Sequence, residues 1–494
     1  MPGVHSITPL LAVLVSLAAV PLIVLARGRP NLRETVTFTA AGVKLLLVAS
    51  LLPAVMAGRE VACNLAPVLP GAPLAFKVDA FGLLFALVSS SLWIITSAYS
   101  IGYMRGLDEH SQTRYYCFFA VALSATIGVA FSANLFTLYL FYEMLSLATY
   151  PLVTHHQDAE ARSAGRKYLF YIMGTSIGLA LPAMIIAYQQ AGTLAFAPAG
   201  FLAGKVTPLM AGVLLFMFIF GFAKAGIMPV HSWLPAAMVA PTPVSALLHA
   251  VAVVKVGVFC ILRVITGVFG IDLLRGLDLG VAVAWVAAFT IIVASLIALS
   301  QDGLKRRLAF STIGQLSYIV LGLALLSPKG MVGGSLHIAM HAFGKITLFM
   351  CAGAIFVATG KKNISEMTGI GKRMPWTMAA FLVGSLSVIG LPPTGGFISK
   401  WYLALGCLQA GSVGLLVVLL VSSLLNAAYF LPIVYRAYFK PPAEAAWAQG
   451  RGEGPACAWV PPLITAGCSL ALFFYPQPFL RLAQLAVAGL MGGQ

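Results

Sequence analysis

Six basic residues stand inside apolar stretches of this 494-residue chain: Lys44, Lys224, Lys255, Arg263, Lys345 and Lys400. If those stretches cross a bilayer, a charge at its centre costs at least about 2.5 to 3.5 kcal/mol, so each needs a partner, water or a route to the interface. Lys44 and Arg263 lie within about two turns of the expected helix ends, close enough for their long side chains to snorkel outwards. The other four suit proton chemistry, because a low dielectric shifts a lysine towards its neutral amine. Glu143, in LYLFYEMLSLATYPL, is the one acidic residue in the middle of an apolar helix. A lone carboxylate there takes up a proton, whereas a neighbouring ammonium keeps it ionised. Such a pair can switch between two protonation states, and Lys224 is the expected partner; a structural ion pair is the competing reading.

The segment SLHIAMHAFGKITLFM sets His337, His341 and Lys345 at successive intervals of four. On a helix they share one face and span about 12 Å, which is what stepwise proton transfer requires. HxxxH is also a metal pattern, but no third acidic or cysteine ligand lies on the segment, so no metal is expected there. In APTPVSALLHAVAVVKVGVF, His249 and Lys255 are six residues apart. That is about 9 Å along the axis with directions differing by roughly 240 degrees, suited to one hydrated network and not to direct contact. Lys255 reads as a proton carrier; for His249 a hydrogen-bonded packing role competes. Ser311, Thr312, Gln315 and Ser317 form a polar strip in LAFSTIGQLSYIV. Orienting water and bonding between helices are equal readings of it.

Two lysines sit beside helix interruptions. Lys224 lies in FGFAKAGIMPVHSWLP between Gly221 and Gly226, with Pro229 close behind. Lys400 follows Pro392, Pro393, Gly395 and Gly396 in VGSLSVIGLPPTGGFISKWYLALG. Proline lacks the amide hydrogen that continues a helical ladder. A break inside the membrane is tolerated only where protein or water receives the freed carbonyls, which suits an ion path.

The elements that must hold these residues are membrane helices. Sixty per cent of residues are apolar, 9 per cent are charged and mean hydropathy is +0.96. A water-soluble domain carries roughly 25 per cent charged residues, so that class is excluded. Apolar segments long enough for a core about 30 Å thick are expected at 7–26, 35–57, 80–102, 114–131, 133–153, 166–188, 208–228, 243–264, 279–300, 308–326, 331–357, 376–407, 411–438 and 458–477, about fourteen in all. The fold class is therefore an all-α polytopic membrane protein. The first stretch has no basic residue before it and no convincing cleavage site, so it reads as a membrane helix and not as a signal peptide. Seven scattered cysteines give no disulfide framework and no iron–sulfur or zinc spacing, and no cofactor is expected.

With the N-terminus outside, eighteen basic residues fall in cytoplasmic loops, among them Arg27, Arg105, Arg162, Arg306, Lys362 and Arg451, against six opposite. This bias favours both termini on the non-cytoplasmic side of a prokaryotic inner membrane. It accounts for the net charge of +16 through an anionic leaflet, without nucleic acid.

The strings FAKAGIMPVHSWLPAAMVAPTPVSALLHAVAVVKVGVF, KRRLAFSTIGQLSYIVLG, LHIAMHAFGKITLFM and GLPPTGGFISKW, in this order, carry a resemblance over nearly the whole chain. The sequence resembles the proton-antiporter-like membrane subunits shared by respiratory complex I, Mrp-type sodium/proton antiporters and membrane-bound hydrogenases. Its wording around PTPVSALLHAVAVVKVGVF looks closer to the D-type member of the Mrp antiporters and its hydrogenase relatives, and no long lateral helix like that of the largest complex I member is expected. The resemblance implies fourteen helices with two inverted five-helix repeats, helices four to eight and nine to thirteen, and broken helices seven and twelve. It divides the chain into 1–110, 111–265, 266–440 and 441–494. It also implies that Glu143 and Lys224 are a glutamate–lysine pair, Lys255 a central connecting lysine and Lys400 a terminal one. His337, His341 and Lys345 would lie between them, with His249 near the central route. The expected function is proton translocation within a multisubunit monovalent cation/proton antiporter. A redox-driven complex whose redox centres lie in partner subunits is the alternative, and a non-transporting scaffold the third reading. Expected partners are other membrane subunits, protons and, less directly, sodium.

Overall fold

A computed structural model describes residues 4–442 and 452–491. Arg451, counted above with the cytoplasmic basic residues, lies outside the described residues. The principal helices are α1 (Thr8–Leu25), α2 (Pro30–Met56), α3 (Ala80–Gly106), α4 (Gln112–Ala130), α5 (Leu135–Val153), α6 (Ala159–Ala191), α7 (Pro208–Gly221), α8 (Thr242–Phe269), α9 (Leu279–Ser300), α10 (Leu304–Ala324), α11 (Pro328–Thr359), α12 (Pro375–Ile389), α13 (Gly395–Gln409), α14 (Val413–Phe439), α15 (Ala456–Phe474) and α16 (Gln477–Met491). Among the described residues, eleven helices are long and apolar enough to cross a membrane, and α7 and α12 are shorter apolar helices. The chain is an all-α polytopic membrane protein.

Several helix starts follow from local chemistry. Asp79, Asn134, Thr207 and Ser327 each accept a hydrogen bond from an amide of the first turn, and Pro208 and Pro328 occupy first-turn positions where no amide hydrogen is needed. Proline also explains why α2 begins at Pro30, five residues ahead of the expected 35. Among the elements beyond the expected segments, two stand out. One is a three-stranded sheet in which Val4–His5 pairs parallel with Val61–Leu69, itself antiparallel to Ala72–Val78. It leads into Asp79 and sits at the end of α3 remote from Gly106. The other is α16.

Burial identifies the centre. Every residue of α8 is buried, and α11 is buried from Gly330 to Ile355. α11 touches α3, α8, α10, α12, α13, α15 and α16. By contrast, α1, α2, α14 and α15 expose most of their length and carry large apolar side chains such as Leu46, Leu424 and Phe474 outwards. An apolar exterior around an interior of titratable side chains inverts the soluble arrangement and fits lipid as solvent.

The snorkelling expectation fails for two residues. Lys44 is fully buried, and its ammonium donates to Ser16 Oγ at 2.6 Å and to the Leu123 carbonyl at 3.1 Å. It lies 5.1 Å from the Trp93 ring centroid. α1 and α4 flank α2 and supply these oxygens, so the ammonium needs no route to the interface. Arg263 forms a two-pronged ion pair with Asp79, at 2.5 and 2.8 Å, which fastens α8 to the first turn of α3.

Candidate functional site

Lys224 occupies a tight turn, Ala223–Ala225, that follows α7 directly. α7 stops at Gly221, eight residues ahead of Pro229. An added Cβ at Gly221 would lie 2.6 Å from the Ala180 amide nitrogen, and the Trp233 indole donates to the freed Ala223 carbonyl at 3.0 Å. Close packing and a replacement donor therefore end the helix before the proline does. The Lys224 ammonium donates to the Tyr142 carbonyl at 2.8 Å and to Ser146 Oγ at 2.6 Å, both on α5, and lies 3.1 Å from the Tyr142 ring centroid.

Glu143 is on the same helix as these partners, yet no ion pair within 4.0 Å joins it to Lys224 among the described residues. Both carboxylate oxygens are buried without a hydrogen bond of ordinary geometry. Lys224 stays within reach of the Glu143 charge, while its hydrogen bonds go to Tyr142 and Ser146 of the same helix. The reason is helical direction: residues 142 and 146 share a face, and residue 143 points about 100 degrees away. Sequence reasoning missed both, although their spacing of four beside Glu143 was a usable signal.

α8 meets the Lys224 turn backbone to backbone. A Cβ added at Gly257 would lie 2.1 Å from the Ala225 amide nitrogen and 2.2 Å from the Lys224 carbonyl carbon, so only glycine permits this approach. Two residues earlier, Lys255 Nζ stands 2.6 Å from His341 Nδ1, a hydrogen bond from α8 to α11. His341 Nε2 has no hydrogen-bond partner among the described residues. His249 lies in a π-helical turn of α8, Leu247–Val251, stacked 4.7 Å from the Phe349 ring centroid with neither ring nitrogen hydrogen-bonded. As its spacing predicts, it does not touch Lys255.

Along α11 the three titratable residues face three different partners. The His337 and His341 ring centroids are 5.6 Å apart. His337 Nδ1 is 2.8 Å from Ser399 Oγ, and its Nε2 is 3.1 Å from Gln315 Oε1. Lys345 donates to Ser311 Oγ at 2.8 Å, and Ser311 also accepts from the Tyr429 hydroxyl at 2.9 Å, itself bonded to Asn426. Of the polar strip on α10, Gln315 and Ser311 thus contact the titratable row, whereas Thr312 and Ser317 bond back to α10 carbonyls. Ser399, Tyr429 and Asn426 are further residues that sequence reasoning did not single out; Ser399 stands next to Lys400, which was the only cue.

Lys400 is half-buried on α13 beside the turn that separates it from α12. Its ammonium donates to the Ile389 carbonyl at 2.9 Å and to Ser423 Oγ at 3.3 Å, and sits 4.6 Å from the Tyr318 ring centroid. Gly390, at φ +89°, takes the left-handed turn that ends α12, and a Cβ there would lie 2.4 Å from Lys400 Cδ. The lysine therefore lies against the turn and satisfies the last carbonyl of α12.

Titratable side chains thus run from Glu143 on α5 to Lys400 on α13. The family model described as "NADH:quinone oxidoreductase/Mrp antiporter, TM" matches residues 132–426, from just before α5 into α14. The chain belongs to this family. Among NADH:quinone oxidoreductase/Mrp antiporter family members, it is 38% identical over 349 residues to NADH-quinone oxidoreductase subunit N of Desulforudis audaxviator, covering 69% of this chain and 68% of that one. It is 35% identical over 363 residues to hydrogenase-4 component B of Escherichia coli, covering 70% and 53%. The chain spans about half the length of that relative and of two further curated relatives it matches. Among solved structures, a chain of the Mrp complex from Dietzia sp. DQ12-45-1b shares the fold at a TM-score of 0.87, with 24% identity and coverage of 99% and 98%. A chain of the membrane-bound sulfane sulfur reductase, an archaeal respiratory membrane complex, gives 0.86 at 25% identity, with 98% of each chain covered.

Proposed function

We propose that this chain is the proton-translocating membrane subunit of a multisubunit complex, with Glu143, Lys224, Lys255, His249, His337, His341, Lys345 and Lys400 as its titrating residues. The observation that carries the reading is the Lys255–His341 hydrogen bond, which links the α5/α7/α8 half of the row to the α11/α13 half. Around it the two halves repeat one design: a lysine, Lys224 or Lys400, sits at a turn after a short apolar helix and donates to a backbone carbonyl, that of Tyr142 or of Ile389. On this reading α7 with the turn after it, and α12 with α13, are broken membrane crossings. Fourteen crossings then contain two inverted five-helix repeats, the fourth to eighth and ninth to thirteenth, in divisions 1–110, 111–265, 266–440 and 441–494. Both termini face the non-cytoplasmic side, as the basic loops favour.

A proton arriving at one member of the row disfavours protonation of its neighbour, so charge moves stepwise, with water bridging contacts that no side chain spans. Nitrogen donors dominate the row, whereas a sodium site calls for converging oxygens; protons are therefore the ion handled by this chain. The relatives carry names of both antiporters and redox enzymes, including a probable K(+)/H(+) antiporter component from Rhizobium meliloti. The partner subunits decide between ion exchange and redox drive, and no redox centre is assigned to this chain.

The test is pH-gradient-driven proton flux in the assembled complex reconstituted into vesicles. Lys255→Ala removes the connecting donor, and Glu143→Gln removes the carboxylate proton. Each is expected to lower flux at least about a hundredfold, the loss usual for a displaced proton-transfer group. Near-normal flux in either assembled variant overturns the assignment for that residue; near-normal flux in Lys255→Ala overturns the connected row.

A further inference from the structure

Two short segments at the basic-loop face come together. The α3–α4 connection supplies Glu109 and His110, and the segment after α5 supplies His155 and His156. One carboxylate oxygen of Glu109 and one ring nitrogen each of His110 and His156 lie within 4.8 Å of one another. Glu109 Oε2 is 3.7 Å from His156 Nδ1 and 3.8 Å from His155 Nε2. Four-coordinate zinc with nitrogen and oxygen donors at about 2.1 Å needs donor separations of about 3.4 Å, so a small side-chain adjustment closes the set.

The second observation is His155 itself. It is fully buried, neither ring nitrogen makes a hydrogen bond of ordinary geometry, and its ring stacks on His110 with centroids 4.7 Å apart. His155 thus packs under the set, its Nε2 3.8 Å from the Glu109 carboxylate that two of the neighbouring imidazoles also approach. Glu109 and His156 also line a cavity of about 910 Å³ together with Asp158, Glu160, Lys305 and Thr242, so these ligand atoms are reachable.

We propose that Glu109, His110 and His156 form a binding site for a borderline divalent transition-metal ion, with His155 packed against it, Zn²⁺ being the best match to two imidazoles, one carboxylate and a water in the fourth position. The site departs from the absence of metal expected from sequence, where only one segment at a time was weighed. A bound ion ties the α3–α4 connection to the end of α5, the helix whose Tyr142 and Ser146 hold Lys224, beside the cavity that Glu109 and His156 line.

The test uses the intact complex in mild detergent, stripped with a chelator. Zn²⁺ is titrated by calorimetry, and Co²⁺ by visible absorption, which reports coordination geometry independently of ion flux. The wild type is expected to bind one ion per copy of this chain with a tetrahedral Co²⁺ spectrum. His110→Gln combined with His156→Gln removes two solvent-accessible ligands and is expected to weaken Zn²⁺ binding on the order of a hundredfold, at unchanged thermal stability. Glu109→Gln is the independent second variant, expected to weaken it roughly tenfold. Zinc taken up by other subunits is unaffected by either change. Equal Zn²⁺ titrations in the wild type and both variants, or an octahedral Co²⁺ spectrum in the wild type, overturn the proposal.

Discussion

Gly257→Ala puts one methyl group where two backbones meet. Its Cβ would stand 2.1 Å from the Ala225 amide nitrogen, while ordinary contact begins at 3.4 Å, so α8 and the Lys224 turn must part by about 1.3 Å. The clashing atoms are backbone and cannot rotate aside. Overpacking of this kind costs about 1–3 kcal/mol of stability. The functional cost is larger, because the displacement falls on either Lys224, held by bonds of 2.6 and 2.8 Å, or Lys255, held by one of 2.6 Å. Misplacing a proton-transfer group by about 1 Å costs on the order of a hundredfold in rate. The assay is proton flux in vesicles alongside thermal unfolding. Gly102→Ala is the control: its Cβ would stand 2.5 Å from the Ala458 amide nitrogen, at a contact away from the row, so it should lower stability by about 1–3 kcal/mol while keeping most of the flux. Wild-type flux in Gly257→Ala, or equal flux losses in both variants, refutes the reasoning.

Two further perturbations concern the buried cations outside the row. Burial pushes the Asp79 carboxyl up, but the Arg263 charge and hydrogen bonds, with the Gly82 amide, outweigh it and hold the group below its ordinary value. A depressed folded pKa contributes stability that is present above the unfolded value and is lost as pH falls through the folded one. Asp79→Asn should therefore cost about 3–5 kcal/mol at pH 7, and its deficit against the wild type should shrink below about pH 4; a deficit constant down to about pH 2 would count against the pair. Lys44→Met replaces a fully buried ammonium whose hydrogen bonds among the described residues go to Ser16 and the Leu123 carbonyl. Flux should stay within about twofold and the unfolding midpoint should hold or rise, since an apolar side chain of similar length avoids the desolvation of a charge; a collapse of flux would place Lys44 on the proton path.

The elements and the chemistry of the row were legible in the chain before it was folded. Composition required membrane helices, and the interval of four placed His337, His341 and Lys345 on one face of a single helix, because that periodicity is a local property of the backbone. Glycines and prolines marked the neighbourhoods of Lys224 and Lys400 for the same local reason. Which donor meets which acceptor across helices is instead a property of the packed molecule. Nothing near Lys255 in the chain announces His341, nothing near Lys44 announces Ser16, and the Glu109 and His155 segments come from different connections. Glu143 shows the limit most sharply: its apolar setting was legible, yet a turn of about 100 degrees per residue gave the Lys224 hydrogen bonds to Tyr142 and Ser146 instead. Such pairings depend on how closely backbones approach, and at Gly257 that approach is set by the absence of a side chain, whose meaning appears only when the opposing turn is in place.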